Sequence, residues 1–178
     1  MYLADDHMHS VCSPDGEDTM ADMALAAARA GLDSVCFTDH FDLLSMEGTV
    51  CLVRNWTPVR QAFAEARSRV DGAIEVRCGV EIGGVPTDPA AAERALAEPL
   101  DFVIASVHNL SLEAGATDFY DVTYTSPEMC RPYLDDYFAS LEATVAWGKF
   151  DVVGHIPYLL RYMRDRDGVD IDLAEYDW

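Results

Sequence analysis

Positive charge is what this chain has least of: 12 Lys and Arg stand against 32 Asp and Glu, a formal net charge of −20. That balance disfavours nucleic-acid binding through a basic surface, because phosphate contacts need Lys and Arg in number. A phosphorylated metabolite would be repelled as well, unless bound cations reverse the field locally. The five cysteines are odd in number and nowhere form C-x-x-C, so a reduced, cytoplasmic protein is the simplest reading. Neither a Gly-rich phosphate loop nor G-x-S-x-G occurs, and no cysteine sits in a nucleophile motif. The opening MYLADDHMHS lacks a basic n-region and a long apolar run, so no signal peptide is expected, and no apolar stretch is long enough to span a bilayer.

What is present is a half-apolar chain of 178 residues, enough for one domain with a real core. The order of patterns is β-α repeated, about five times, which argues for a parallel sheet with crossover helices. An opening strand near Tyr2–Asp6 leads to the turn Ser13-Pro14-Asp15-Gly16. Asp18 or Thr19 then caps a helix ending at Gly31, and Asp33–Thr38 reads as a second strand. Phe41–Asn55 lacks periodicity and reads as a long loop. A helix over Pro58–Val70, a strand over Ile74–Ile82, an alanine-rich helix over Pro89–Glu98 and a strand over Asp101–Val107 follow. Asn109–Thr125 reads as loop, and Ser126 caps a long helix to Trp147. Phe150–Val153 is the fifth strand, Tyr158–Arg164 a short helical segment, and DRDGVDIDLAEYDW an acidic tail.

The informative feature is where the five histidines fall. His7 and His9 sit two apart on an extended segment, a spacing that presents both imidazoles on one face. His40, His108 and His155 each end an apolar β-like run, and no histidine is left for a helix or linker. A lone strand histidine is more often a hydrogen-bonded core residue than a ligand. A pair at strand spacing, preceded by Asp5 and Asp6, favours metal, for which neutral imidazole is a common ligand. Glu81 lies in an otherwise apolar run, where a carboxylate is costly unless paired or bound to a cation. The alternative is a salt bridge to an arginine. Asp15 taken alone is a turn aspartate, and Asp42 is either a proton donor or substrate contact, or merely loop. Arg161 either forks onto a phosphate or offsets Asp165 and Asp167 at the surface. All these candidates lie at or just beyond the C-terminal ends of strands, where α/β folds gather their chemistry.

The segments DHMHSVCSPDG, CFTDHFD, GVEIG, DFVIASVHN and FDVVGHI, in that order, resemble the PHP (polymerase and histidinol phosphatase) family, most closely its histidinol-phosphatase-like branch. The resemblance covers nearly the whole chain. It implies a distorted (β/α)7 barrel with two or three divalent metal ions (Zn, Fe or Mn) at the strand ends. By position, His7, His9 and Glu81 would hold one metal, Glu81 would bridge to a second on His108 and His155, and Asp15 and His40 would hold a third. A metal-bound hydroxide would then attack a phosphomonoester, with Arg161 on the phosphate and Asp42 near the substrate. The family's late Asp-x-His is absent before Trp178, so residues 1–178 are expected to form one PHP domain lacking its final strands. An open barrel exposes a strand edge, which predicts a homo-oligomer or poor solubility. Three readings follow: a phosphatase for histidinol phosphate or a similar small ester, a phosphodiesterase, and a catalytically incomplete metal-binding fragment.

Overall fold

The computed structural model describes residues 1–175; the last three residues of the acidic tail, 176–178, lie outside the described residues. The chain builds a parallel half-barrel, with β1 (Ala4–Met8), α1 (Met20–Ala30), β2 (Ser34–Phe37), β3 (His40–Asp42) and α2 (Thr57–Val70) in its first half. Then come β4 (Glu75–Gly83), α3 (Pro89–Ala95), β5 (Phe102–Ser106), α4 (Pro127–Trp147), β6 (Val152–Val153) and α5 (Tyr158–Leu160), which runs into a π-helical turn over Arg161–Arg166. The sheet order is β1-β2-β4-β5-β6, every pairing parallel, with β3 also on β4.

The helices start and stop where their caps dictate. Thr19 Oγ1 accepts from Asp22 N at the head of α1, and Gly31, at φ 87°, closes it in the left-handed region that glycine tolerates. Ser126 caps α4 in the same way, with Pro127 at the first position and Gly148 after the end. Of the two candidate caps for α1, Thr19 makes the bond.

One expectation is corrected. Phe41–Asn55 does not begin as loop: His40–Asp42 forms β3, in register with Glu81–Gly83 of β4. This strand continues the path of β2, which pairs with Glu75–Cys78 of the same neighbour. Between them, Thr38 takes a bond from Glu81 N and gives one to Met8 O, so the strand path is interrupted at Thr38-Asp39 but stays on β4. Three residues with one aromatic carry no period, which is why the pattern concealed them.

Among the described residues the core forms three clusters. Met20, Ala24 and Ala27 of α1 and Val59, Ala66 and Val70 of α2 cover Val35, Phe37 and Val76. Ala91, Ala92 and Ala95 of α3 cover Val80, Ile82 and Phe41, while Leu134, Tyr137 and Leu141 of α4 pack with Phe119, Tyr124, Leu159 and Met163. α1 to α4 thus pack over the sheet, while α5 and the turn after it bring Tyr158, Arg161 and Tyr162 to the cavity at the strand ends. All five cysteines are free; burial pushes the Cys36 thiol up to about 12 and Cys78 to about 11, so both act as apolar filler. No helix among the described residues is long and apolar enough to cross a membrane.

Candidate metal centre

In-register residues on neighbouring parallel strands share a face of the sheet, and this places the site. His40 lies opposite Glu81, Asp42 opposite Gly83, and Ser106 opposite Gly83 from the other side. Gly79 and Gly83 flank Glu81 on its face and leave room around it. A Cβ on Gly83 would stand 1.7 Å from Asp42 Oδ1 and 3.0 Å from His108 Nδ1. Glycine is therefore required there for space, not for a backbone angle.

Glu81 is fully buried, and the other groups converge on it. Its Oε1 accepts from Ser106 Oγ at 2.6 Å and lies 2.8 Å from His155 Nε2 and 3.2 Å from His108 Nε2. Its Oε2 lies 2.9 Å from His9 Nε2, 3.1 Å from His7 Nε2 and 3.6 Å from His40 Nδ1. Around this centre Asp15 Oδ2 meets His9 Nδ1 at 2.9 Å, and Asp42 Oδ1 meets His108 Nδ1 at 2.8 Å. No arginine pairs with Glu81 among the described residues, so the salt-bridge alternative has no partner there.

The donor set fits divalent metal ions better than it fits a proton network. His9 Nε2 and His40 Nδ1 are buried without a hydrogen-bond partner, although both crowd the same Glu81 oxygen. His108 Nε2 and His155 Nε2 face each other at 3.4 Å, where two ring nitrogens can share only one proton. Three groups of ligand atoms each close within 4.8 Å: His7, Glu81 and His155; His9, His40 and Glu81; His40, Asp42 and His108. This grouping differs from the allocation by resemblance, because His155 sides with His7 and Asp42 joins a triad.

Electrostatics follow from the same contacts. Burial opposes ionisation of Glu81, yet His108, His155, His7 and His9 hold its carboxyl far below the usual range. Burial pulls the His9 imidazole down, but Glu81 and Asp15 outweigh it and bring it up to about 9. His108 is raised well above its ordinary value by Asp42 and Glu81 despite burial, whereas burial lowers His40. Asp15, which burial alone would raise, is lowered by His9 and His40.

All seven residues expected at the metals (His7, His9, Asp15, His40, Glu81, His108 and His155) line one cavity of about 650 Å³, together with Asp42 and Arg161. Other residues there carried no signal in the sequence. Asp118, Tyr120 and Tyr162 come from stretches read only as loop and short helix, in a chain where acidic residues are everywhere. Ser106 was findable, since it stands two before His108 near the end of the same strand.

Asp39 is a positioning residue that the pattern also concealed. It is buried, and it accepts from Ser10 N at 2.7 Å, Ser13 Oγ at 2.7 Å and Ser10 Oγ at 2.9 Å. Ser13 Oγ in turn accepts from His40 N at 2.8 Å, and Arg54 donates to the carbonyls of Asp39 and His40. One carboxylate therefore ties the loop after His9 to the start of β3. Asp39→Ala is expected to cost about 3 kcal/mol in urea unfolding, since it strands buried donors; a loss under about 1 kcal/mol would remove Asp39 from this role.

The PHP domain family matches residues 5–176. The chain is 29% identical over 164 residues to the "Probable histidinol-phosphatase" of Deinococcus radiodurans, covering 86% of this chain and 60% of the relative. It is 29% identical over 169 residues to the "Histidinol-phosphatase" of Lactococcus lactis, covering 91% of this chain and 59% of the relative. The crystal structure of histidinol phosphate phosphatase from Lactococcus lactis, complexed with Zn, L-histidinol and phosphate, superposes with a TM-score of 0.73 at 27% identity, over 97% of this chain and 64% of that one. The chain thus spans about 60% of the length of the curated relatives it matches. With five histidines gathered at parallel strand ends and the family match running through nearly all of its residues, the chain belongs to the PHP domain family.

Proposed function

We propose that this chain carries the site of a metal-dependent phosphomonoesterase acting on histidinol phosphate or a similar small ester. The observation that carries the reading is the convergence of five imidazoles, from four separate segments of the chain, on one fully buried carboxylate. Two or three divalent ions (Zn, Fe or Mn) held by His7, His9, Asp15, His40, Glu81, His108 and His155 would supply Lewis acidity and a nucleophile at neutral pH. Those ions also answer the charge problem, since a −20 chain needs local positive charge to admit a phosphate.

The chain's own groups account for the remaining tasks. Arg161 lines the cavity and supplies a fork of donors for phosphoryl oxygens. Asp42, whose Oδ1 lies 2.8 Å from His108 Nδ1, lines the cavity and would serve as proton donor to the leaving group or as substrate contact. Ser106 donates to Glu81 Oε1 at 2.6 Å and so fixes the carboxylate around which the imidazoles gather. A volume of about 650 Å³ suits a small ester and not a polymer. The acidic surface weighs against a phosphodiesterase acting on nucleic acid.

The test pairs elemental analysis with phosphate release from histidinol phosphate after loading with Zn, Mn or Fe. Bound ions in stoichiometric amount together with turnover are expected. Fewer than two ions per chain and no turnover in folded protein would replace this reading with the incomplete metal-binding one, which the 60% span of the relatives keeps in view.

A further inference from the structure

His40 is a shared member of the metal centre, since it belongs to two of the three ligand groups. Its Nδ1 lies 3.2 Å from Asp42 Oδ2 and 3.6 Å from Glu81 Oε2. The backbone that carries it has little help from the sheet. β3 pairs with β4 alone, and β1 stops at Met8 without reaching it. The edge of β3 turned away from β4 therefore has no strand beside it among the described residues, and its polar groups need other partners. Side chains take that place. His40 N donates to Ser13 Oγ at 2.8 Å, and His40 O accepts from Arg54 Nη1. The same nitrogen donates to Asp39 O at 2.7 Å.

Arg54 is itself braced. Its guanidinium carbon lies 4.8 Å from the Trp56 ring centroid, and Trp56 meets Phe41 of β3 edge to face at 6.5 Å. The fork thus stands just ahead of α2 and leans on the strand whose carbonyls it binds. Among the described residues Arg54 forms no ion pair, in a chain with 32 carboxylates for 12 cations. Burial works against its charge, and Asp39 offsets that only in part. A guanidinium drawn from water without a carboxylate is costly, and the two carbonyls are the partners it gains. Asp39 secures the loop after His9 through its carboxylate; Arg54 secures the backbone of His40 itself.

We propose that Arg54 is a positioning residue for the metal centre: by holding the carbonyls of Asp39 and His40, it fixes the His40 imidazole where the two ligand groups that share it close. Arg54 is not among the residues that line the cavity, so it acts through His40 and not on substrate. The inference rests on the metal-binding part of the proposed function and is independent of which ester is cleaved. Groups that orient a metal ligand without touching the metal tune its affinity, and here the group binds the ligand's backbone in place of its ring.

The test is a Zn titration in competition with a chelator, for Arg54→Met with His40 present and in the His40→Ala background. Methionine keeps an unbranched stem and offers no donor. Arg54→Met is expected to weaken Zn binding about 10- to 100-fold when His40 is present. With His40→Ala the same change should move Zn affinity less than about twofold, because the ligand it orients is gone. Equal weakening in both backgrounds makes Arg54 a support of the fold alone and overturns the proposal, as does unchanged affinity in Arg54→Met. Should Arg54→Met not fold, Arg54→Lys carries the same cycle. Lysine is one bond shorter, so a loss of about three- to tenfold is expected, again only with His40 present; no loss, or equal loss in both backgrounds, overturns the proposal. An unaltered protein that binds no Zn rejects the metal reading and this proposal together. Absent turnover of histidinol phosphate with the cycle intact rejects the phosphatase reading alone and upholds Arg54 in its role.

Discussion

Glu81→Gln is expected to strip the protein of tightly bound divalent metal and to lower phosphomonoester turnover by at least about 100-fold. Outer partners of metal ligands already cost about 10- to 100-fold when removed, and Glu81 belongs to two of the three ligand groups. Its two oxygens divide the histidines between them, Oε1 toward His108 and His155 and Oε2 toward His7, His9 and His40. The amide retains the size but not the charge, and it turns an NH2 toward ring nitrogens. Without metal the same change should also destabilise the fold, by roughly 3–5 kcal/mol at neutral pH, as when one member of a buried ion pair is deleted. Elemental analysis and thermal melts with and without chelator measure both effects. Unchanged metal content in the Glu81→Gln variant would refute the shared role of this carboxylate.

Metal uptake should be strongly pH-dependent, and in the opposite sense to the stability of the metal-free protein. His9 has its pKa raised from 6.5 to about 9, and His108 is raised as well. A raised folded pKa stabilises the protonated fold below the unfolded value of 6.5, and that contribution is lost as pH climbs through about 9. A metal ion must displace these protons, so its apparent affinity should rise about tenfold per pH unit per proton released across the same window. The melting temperature gained by adding Zn should therefore widen between pH 6.5 and 9. A gain that stays flat over this range would show that His9 surrenders no proton to the metal. At the acid end the sign reverses for Glu81. Its lowered carboxyl stabilises the fold above the ordinary carboxylate pKa, and that help fades only under strong acid.

Much of this could be read from residues in order. The caps Thr19 and Ser126, the closing glycines at 31 and 148, and the apolar strand runs each act within a few residues. Local chemistry of that range survives in one dimension. The placement of every histidine at the end of a run was legible for the same reason, as was the oddness of a glutamate between Val80 and Ile82. β3 was concealed because three residues have no period, and Asp39 and Asp118 because single acidic residues carry no contrast in so acidic a chain.

Residue order alone settles the succession of βα units and which side chains stand at the strand ends. Which of them share an oxygen is settled in three dimensions, since His7 and His155 are each 74 residues from Glu81 and meet it through strand pairing, not through spacing. Register makes that choice: it seats His40 opposite Glu81 and Asp42 opposite Gly83, and so brings Asp42 against His108. Contacts of such separation depend on sheet curvature and loop closure, and linear order encodes these only through the fold as a whole.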